Sequence, residues 1–220
     1  MKSLKLAVVL AALPLAASAQ DPVKVDPGHY KVLVDNPSVR VIKVQVGVGE
    51  KSPMHSHPDA ILVPLDSGKA RFKMPDGKTE DRELVKETAA YTPAFTHAPE
   101  NIGTTKIDAI LVEFKAAAPG TATLPTARPG VEQTVLAETQ RGVAFKATAA
   151  ADFAEPAGST HEFDQVVIGL GPADMTVAVE GQPAKTKWAR GDVQFIARGT
   201  PHESKNVGGK PVDFIIVAVK

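Results

Sequence analysis

Cysteine is absent from this chain of 220 residues, and aromatic residues make up only 5% of it. Without thiols the protein forms no disulfides, and a cysteine nucleophile or a cysteine-ligated zinc or iron–sulfur site is excluded. Any bound metal must therefore be held by histidine nitrogen or by carboxylate or amide oxygen.

An excess of charge of one sign is also missing, since 25 lysines and arginines balance 25 aspartates and glutamates. Because there is no basic surplus to neutralise phosphates, the composition predicts no nucleic-acid partner. An apolar fraction of 43% and a charged fraction of 23% are typical of a globular protein that buries a core. The length allows one large or two small domains.

Residues 1–19 differ in character from the rest of the chain. Lys2 and Lys5 form a short basic start, an apolar run follows from Leu6 to Leu15, and small residues end the segment. This is the pattern of a secretory signal peptide. The apolar run falls well short of the roughly 20 residues that a helix needs to cross a bilayer, and a retained anchor is the alternative. We expect an exported bacterial protein, periplasmic or secreted, with no membrane association after cleavage.

A stretch rich in proline and glycine, residues 116–130, divides the remaining sequence. It has no hydrophobic period and is predicted to be a linker. The sequence thus predicts an N-terminal domain over residues 20–115 and a C-terminal domain over residues 131–220.

The two predicted domains share a sequence pattern at an offset of 105 residues, which indicates a duplication. In each domain a histidine is followed four residues later by an asparagine, whose side-chain amide is expected to tie a turn. An apolar run comes next. The matching segments are His97 to Asn101 with His202 to Asn206, and Ile107 to Phe114 with Val212 to Val219.

Short β-branched or alternating runs between turn residues dominate both domains, and they predict antiparallel strands and hairpins. The segment from Glu80 to Ala90 is the best helix candidate, but it reads equally well as an edge strand. Two all-β sandwiches or barrels are the expected architecture.

Three histidines of the N-terminal domain form a pattern suited to metal binding. His55 and His57 are two residues apart, so on a strand both rings point to one face. His97 comes from a different predicted strand. Three neutral imidazoles that converge in a β interior would suit iron, manganese, copper, nickel or zinc as divalent ions. The alternative is that each is a hydrogen-bonded interior histidine.

These motifs resemble those of the cupin superfamily, and the duplication resembles a bicupin. The matching residues are Gly47, His55, His57 and Gly68 for the first motif, and Pro93, His97 and Asn101, repeated as Gly191, Gly199, His202 and Asn206, for the second. The resemblance implies two tandem double-stranded β-helix (jelly-roll) domains, with a metal held by the motif histidines and a glutamate. This fold carries many functions, including dioxygenases, decarboxylases, lyases and non-catalytic proteins.

The N-terminal motif departs from the family pattern at the glutamate. Counting back from Gly68 places Ile61 there, which leaves a three-histidine site like that of thiol-dioxygenase-like cupins and puts Ile61 in the barrel wall. Asp59 shares the strand parity of the histidines and is an alternative oxygen ligand, although it also reads as a solvated turn carboxylate.

The C-terminal motif is more degenerate, with His161 alone where the family has two histidines. Spacing from Gly171 puts Asp164 at the glutamate position, although strand alternation points it away from His161 unless a bulge intervenes. His161, His202 and Asp164 then form a second predicted metal site, and Glu162 is the other carboxylate in range. The alternative is a metal-free half that braces the first.

Two functions follow from this sequence. The first is an exported, metal-dependent dioxygenase or lyase acting on a small organic acid or phenol that binds beside the three-histidine site. The second is a non-catalytic cupin that binds a metal or small molecule, or serves as an accessory protein. A small-molecule ligand is expected in both cases, and assembly into a homo-oligomer is compatible with either.

Overall fold

The computed structural model describes residues 20–115 and 123–219. The predicted signal peptide, residues 1–19, and the first part of the predicted linker, residues 116–122, lie outside the described residues. Within the described ranges the chain forms seventeen strands and one short helix. No helix in these ranges combines the length and the apolar character needed to span a membrane.

The N-terminal half contains the helix and nine strands. Their bounds are α1 Pro22–Val25, β1 Tyr30–Asp35, β2 Val39–Val46, β3 His55–His57, β4 Ala60–Pro64, β5 Gly68–Lys73, β6 Thr79–Leu84, β7 Ala90–Thr92, β8 Phe95–Asn101 and β9 Ile107–Phe114. Of the segment that read as helix or edge strand, residues 80–84 belong to β6 at the edge of its sheet, whereas residues 85–89 form a turn or have no regular structure.

The C-terminal half contains eight strands. Their bounds are β10 Val131–Glu138, β11 Gly142–Ala149, β12 Ala154–Ser159, β13 Asp164–Gly169, β14 Met175–Val179, β15 Val193–Ile196, β16 His202–Asn206 and β17 Val212–Val219.

Each half is a jelly roll of two antiparallel sheets, and the predicted fold class is confirmed. In the N-terminal half the orders are β1-β2-β9-β4-β7 and β3-β8-β5-β6; in the C-terminal half they are β10-β11-β17-β13-β15 and β12-β16-β14. The five-stranded sheets match position by position, with β15 in the place of β7. In the smaller sheets β6 alone has no counterpart among the described strands. The duplication seen in the sequence is thus a duplication of topology.

The two predicted turn asparagines have the same role in both halves. The amide nitrogen of Asn101 donates to the carbonyls of Val46 and Thr105, at 2.9 and 2.8 Å. Asn206 donates in the same way to Ala150 and Lys210, at 2.8 Å each. Each asparagine therefore fixes the loop between the last two strands of its half.

The two five-stranded sheets pack against each other through their outer faces. One continuous apolar core contains fully buried residues of both halves. Representative members are Ile61 and Val63 of β4, Ile110 and Val112 of β9, Val166 and Ile168 of β13, and Ile215 and Val217 of β17. Strands buried on both faces read as near-continuous apolar runs, which explains the sequences of β9 and β17.

Candidate metal centre

The three histidines predicted from the sequence lie together inside the N-terminal jelly roll. β3 carries His55 and His57, and β8 carries His97 directly opposite His55 in the antiparallel register. All three are buried, and one ring nitrogen from each lies within 4.8 Å of the others. The i, i+2 spacing on a strand therefore produces the convergence that the sequence predicted.

Hydrogen bonds on the far side of two rings orient them. The Nδ1 of His55 lies 2.7 Å from the carbonyl of Pro53, and the Nδ1 of His57 lies 2.7 Å from Oε1 of Glu113. Because a carbonyl and a carboxylate accept hydrogen bonds, we assign the proton of both rings to Nδ1. Each Nε2 lone pair is then free to bind a cation.

The third ring has an electrostatic conflict that a cation would remove. The Nε2 atoms of His97 and His55 are 3.2 Å apart, and the buried Nδ1 of His97 has no hydrogen-bond partner. If the proton of His97 is on Nδ1, the Nε2 lone pairs of His97 and His55 face each other. If the proton is on Nε2, the buried Nδ1 of His97 has a lone pair with no donor. The donor set therefore fits a divalent transition metal bound by three imidazoles.

Aromatic side chains pack against His97, and burial lowers the pKa of two histidines of the group. The ring of His97 stacks on Phe72, with centroids 4.8 Å apart, and meets the edge of Phe95 at 4.2 Å. Burial, together with the neighbouring His57, lowers the pKa of His97 to about 2 and that of His55 to about 4. Both are neutral near pH 7, and neutral imidazole is the form that binds metals.

Sequence reasoning missed Glu113, the buried carboxylate behind His57. It is 3% exposed, and its Oε2 lies 3.9 Å from the guanidinium of Arg40, which also pairs with Asp21 at 3.0 Å. A carboxylate behind a metal-binding histidine fixes the ring and raises its basicity. The repeat could have indicated Glu113, because this acid stands where the equivalent position of the second half, Ala218, is apolar.

The carboxylate alternatives considered near this group lie elsewhere. Asp59 accepts a hydrogen bond from the backbone of Ala94 at 2.8 Å and does not join the histidines. The placement of Ile61 in the barrel wall was wrong: its side chain points into the core between the two halves, and the adjacent Leu62 lines the interior. Among the described residues no carboxylate completes the trio.

A cavity of about 170 Å³ opens beside the histidines. His57 and His97 form part of its wall, and most of the remaining lining is apolar. Arg82 is the one cation among the described lining residues, and its guanidinium lies 5.1 Å from the ring centre of Phe72 and 5.7 Å from that of Phe95. The cavity therefore combines an apolar body with two charged groups at its wall, Arg82 and Glu83.

A second group of potential ligands lies in the C-terminal jelly roll. Glu155 of β12, His161 and His202 of β16 converge as the first group does. His202 Nε2 lies 3.3 Å from Oε2 of Glu155, and His161 Nε2 lies 3.9 Å from Oε1. The two histidines predicted from the sequence are thus brought together, but with a different carboxylate.

The prediction that Asp164 belongs to this group was wrong, and the strand geometry shows why. β13 pairs with β15 and β17 in uninterrupted register, so there is no bulge to turn Asp164 toward His161. Its carboxylate accepts a hydrogen bond from the backbone of Arg198 at 2.8 Å, whereas Gln165, the next residue, lines the cavity. Strand alternation, not the spacing from Gly171, decides which side chain faces inward.

Arg128, from the end of the predicted linker, lies in the second group. Its Nε is 2.9 Å from Oε1 of Glu155, and its Nη2 donates to the carbonyl of Thr160 at 2.6 Å. The same Nη2 lies 3.4 Å from Nδ1 of His161. The cavity here, about 90 Å³, is smaller than the first.

The ionisation of the second group reflects these contacts. Burial is the main reason why the pKa of His161 is lowered, to about 4. The Glu155 carboxylate raises the pKa of His202 above its usual value. Burial opposes ionisation of Glu155, but His202, His161 and Arg128 together hold the pKa of this carboxyl below its usual range. Glu155 is therefore an anion with a cation already beside it.

Several solved structures share the jelly-roll fold over most of the chain, whereas no protein-family model and no curated protein matches it. The cupin 2 conserved barrel domain protein from Leptotrichia buccalis aligns with a TM-score of 0.57 and 10% identity, covering 87% of this chain and 88% of that one. The salicylate 1,2-dioxygenase from Pseudaminobacter salicylatoxidans has a TM-score of 0.63 and 12% identity, covering 86% and 76%. A variant of the oxalate decarboxylase from Bacillus subtilis aligns with a TM-score of 0.58 and 11% identity, covering 84% of this chain and 70% of that one. At these identities the likeness establishes the fold.

Proposed function

We propose that the protein is an exported bicupin that binds one divalent transition metal through His55, His57 and His97 and acts on a small organic acid or phenol as a dioxygenase or lyase. The observation that supports the proposal is the convergence of three buried imidazoles. Neither position of the proton on His97 satisfies both its Nδ1 and the facing Nε2 atoms of His97 and His55. When bound, such an ion offers open positions that polarise a substrate or activate oxygen.

The residues around the site have separable roles in this proposal. Glu113 holds the His57 ring in the orientation that presents Nε2 to the cavity. Phe72 and Phe95 pack against His97 and keep water from its ring. The apolar wall would receive the body of the substrate.

Arg82 is the residue we assign to the acid group of the substrate. Its guanidinium now pairs with Glu80, at 2.8 and 3.1 Å, on the exposed edge strand β6. A substrate carboxylate entering the cavity would compete with Glu80 for the same planar donors. Two of the structurally similar proteins are named for salicylate and oxalate, which makes these acids the first compounds to assay.

Elemental analysis of residues 20–220, purified without a polyhistidine tag, tests the metal site. We expect about one metal equivalent per chain in the parent and almost none in His97→Leu, whose apolar side chain suits the surrounding Phe72 and Phe95. The control is His29→Gln, because His29 pairs with Asp26 and Glu50 outside the metal group. Equal metal content in both variants would exclude the three-histidine site.

Turnover is tested on the metal-loaded protein with an oxygen electrode and product analysis, using salicylate, oxalate and simple phenols. Oxygen uptake or acid consumption that disappears in His97→Leu supports the enzyme. A binding or accessory role is the second candidate. It is favoured because no carboxylate among the described residues joins the three histidines as a ligand. That role predicts that the same acids raise the melting temperature without being consumed.

Export rests on the pattern of residues 1–19 and has its own test. Expression of the full chain in a Gram-negative host should place the protein in the periplasm, with Gln20 as its first residue by N-terminal sequencing. An uncleaved protein in the membrane fraction would favour the retained anchor instead.

A further inference from the structure

The cation that balances Glu155 in the C-terminal jelly roll is part of the chain itself. Glu155 and His202 are buried, and the guanidinium of Arg128, at the end of the predicted linker, lies against Glu155 in the same cavity. Its Nε lies 2.9 Å from Oε1 of Glu155, an ion pair by distance in which neither atom has a hydrogen-bond partner, and its Nη2 donates to the Thr160 carbonyl at 2.6 Å. Pro125 and Thr126, just before Arg128, also line this cavity.

This position of Arg128 removes a ligand nitrogen from the group. A guanidinium donates and never accepts, so the 3.4 Å contact with His161 makes Nδ1 of that ring the acceptor. In a neutral imidazole the proton must then reside on Nε2, the nitrogen that faces Glu155 at 3.9 Å. Neither nitrogen of His161 is free to bind a metal while Arg128 stays in place.

Charge leads to the same conclusion. One oxygen of Glu155 faces the guanidinium and the other lies 3.3 Å from Nε2 of His202. A divalent ion bound at Glu155 would be held close to the positive charge of Arg128 in a partly buried setting, where like charges repel strongly. Among the described residues no arginine or lysine pairs directly with an imidazole of the N-terminal trio, and Arg82, which lines the same cavity, pairs with Glu80 instead. The second group therefore does not fit a metal in the conformation observed.

We infer that Arg128 is the resident cation of the C-terminal jelly roll: it occupies the place of a second metal, and a divalent ion binds there only when Arg128 is removed. The two halves would then share one fold but differ in their cation, a metal in the first and an arginine in the second. The inference concerns a different site from the proposed function and stands whether or not the first site proves catalytic.

The test counts zinc ions per chain in the full mature protein after reconstitution and gel filtration, in a His97→Leu background that removes the first site. We expect no zinc in the background variant and about one equivalent after Arg128→Gln is added. Adding Glu155→Gln as a third change should abolish that zinc. The matched control is Arg198→Gln, because Arg198 lies in the same half and its Nε is 4.0 Å from Asp164, outside the group. The control should bind none.

Two results would overturn the inference. One is a folded Arg128→Gln variant, shown by its circular dichroism and melting temperature, that gains no zinc. The other, which needs no variant, is native mass spectrometry of the parent protein with two zinc ions per chain. If Arg128→Gln fails to fold, the parent measurement decides alone: a single bound ion, or none, supports the inference and two contradict it.

Discussion

At the scale of single residues, Glu113 is the group that sets the orientation of His57. We expect Glu113→Gln to keep a hydrogen bond from Nδ1 of His57 to the amide oxygen but to lose the negative charge behind the ring. Loss of such an outer carboxylate typically lowers metal affinity about 10–100-fold. Competition with a chromophoric chelator measures the change in Kd.

The matched control for this change is Glu83→Gln. Glu83 lines the same cavity but lies on the exposed face of β6, where it pairs with Lys69 at 3.1 Å. Its substitution should leave the metal Kd unchanged. Equal affinities for the parent and Glu113→Gln would show that the carboxylate does not support the metal site.

Asp21 provides a residue-level prediction for acid stability. Burial disfavours its charge, but the hydrogen bonds from Arg40 and the backbone of Val23 outweigh it and lower the pKa of this carboxyl. A carboxyl with a lowered folded-state pKa adds stability above its unfolded value, near 3.8, and loses it as the pH falls through the folded value. Asp21→Asn should therefore cost roughly 1 kcal/mol at pH 7, with the difference closing below about pH 4.

Urea denaturation at pH 7 and at pH 3 measures both parts of this prediction. Asp35→Asn is the comparison, because the pair between Asp35 and Lys115 is about half exposed and contributes little. A difference between the parent and Asp21→Asn that persists undiminished at pH 3 would contradict the assigned role of the charge.

Some of these residues were predictable from the sequence and others were not. His55, His57 and His97 follow from local spacing and from the repeat, because alternation on a strand is a short-range property. Glu113 acts through a partner 56 positions away in the chain, and only pairing of distant strands brings the two together. An acid within an apolar strand is unusual and could have drawn attention to Glu113. No local sequence rule, however, predicts that it is hydrogen-bonded to His57.

At the scale of elements, the buried asparagines fix the loops before the last strand of each half. Asn101 is fully buried, and its amide satisfies two carbonyls while its Oδ1 accepts from the backbone of Gly103 at 3.0 Å. Asn101→Leu keeps the branched shape and the number of heavy atoms but leaves these groups unpaired, and we expect a loss of about 2–4 kcal/mol. Thermal unfolding followed by circular dichroism gives the shift in melting temperature.

Gln45→Leu serves as the control for Asn101→Leu. Gln45 is half-buried, and its amide makes one long contact, 3.4 Å, with Asp108. The control should shift the melting temperature much less than Asn101→Leu. Similar losses in both would mean that removal of any side-chain amide in this half, rather than loss of the loop contacts of Asn101, lowers the stability.

Element geometry also explains why the second carboxylate was assigned to the wrong residue. The motif spacing selected Asp164, but β13 runs without a bulge and turns that side chain away. Glu155 lies in β12, where the register with β16 shifts between Glu155 and Ser159. Proline and glycine within this strand make it read as a turn in the sequence, so its inward-facing carboxylate could not be anticipated.

At the scale of the whole molecule, the two jelly rolls are joined through the outer faces of their large sheets. The shared core places Phe114 of the first half, 1% exposed, against the start of β11 in the second. Arg190 reinforces the seam by pairing with Asp66 and donating to the carbonyl of Leu65 at 2.9 Å. The duplication was visible in the sequence, but Ile61 was assigned to the barrel wall because the sheet that covers it comes from the other half.

Close packing at this seam makes Gly142 a sensitive position. A Cβ added there would lie 2.8 Å from the ring of Phe114, which is buried, and 3.1 Å from the backbone oxygen of Ala218. Gly142→Ala should therefore destabilise the protein by about 1–3 kcal/mol through overpacking between the halves.

Gly171→Ala is the matched control, since an added Cβ meets nothing within 4 Å there. Calorimetry should show a lower melting temperature for Gly142→Ala and little change for Gly171→Ala. If Gly142→Ala melts with the parent, the two sheets do not pack as tightly as the shared core requires.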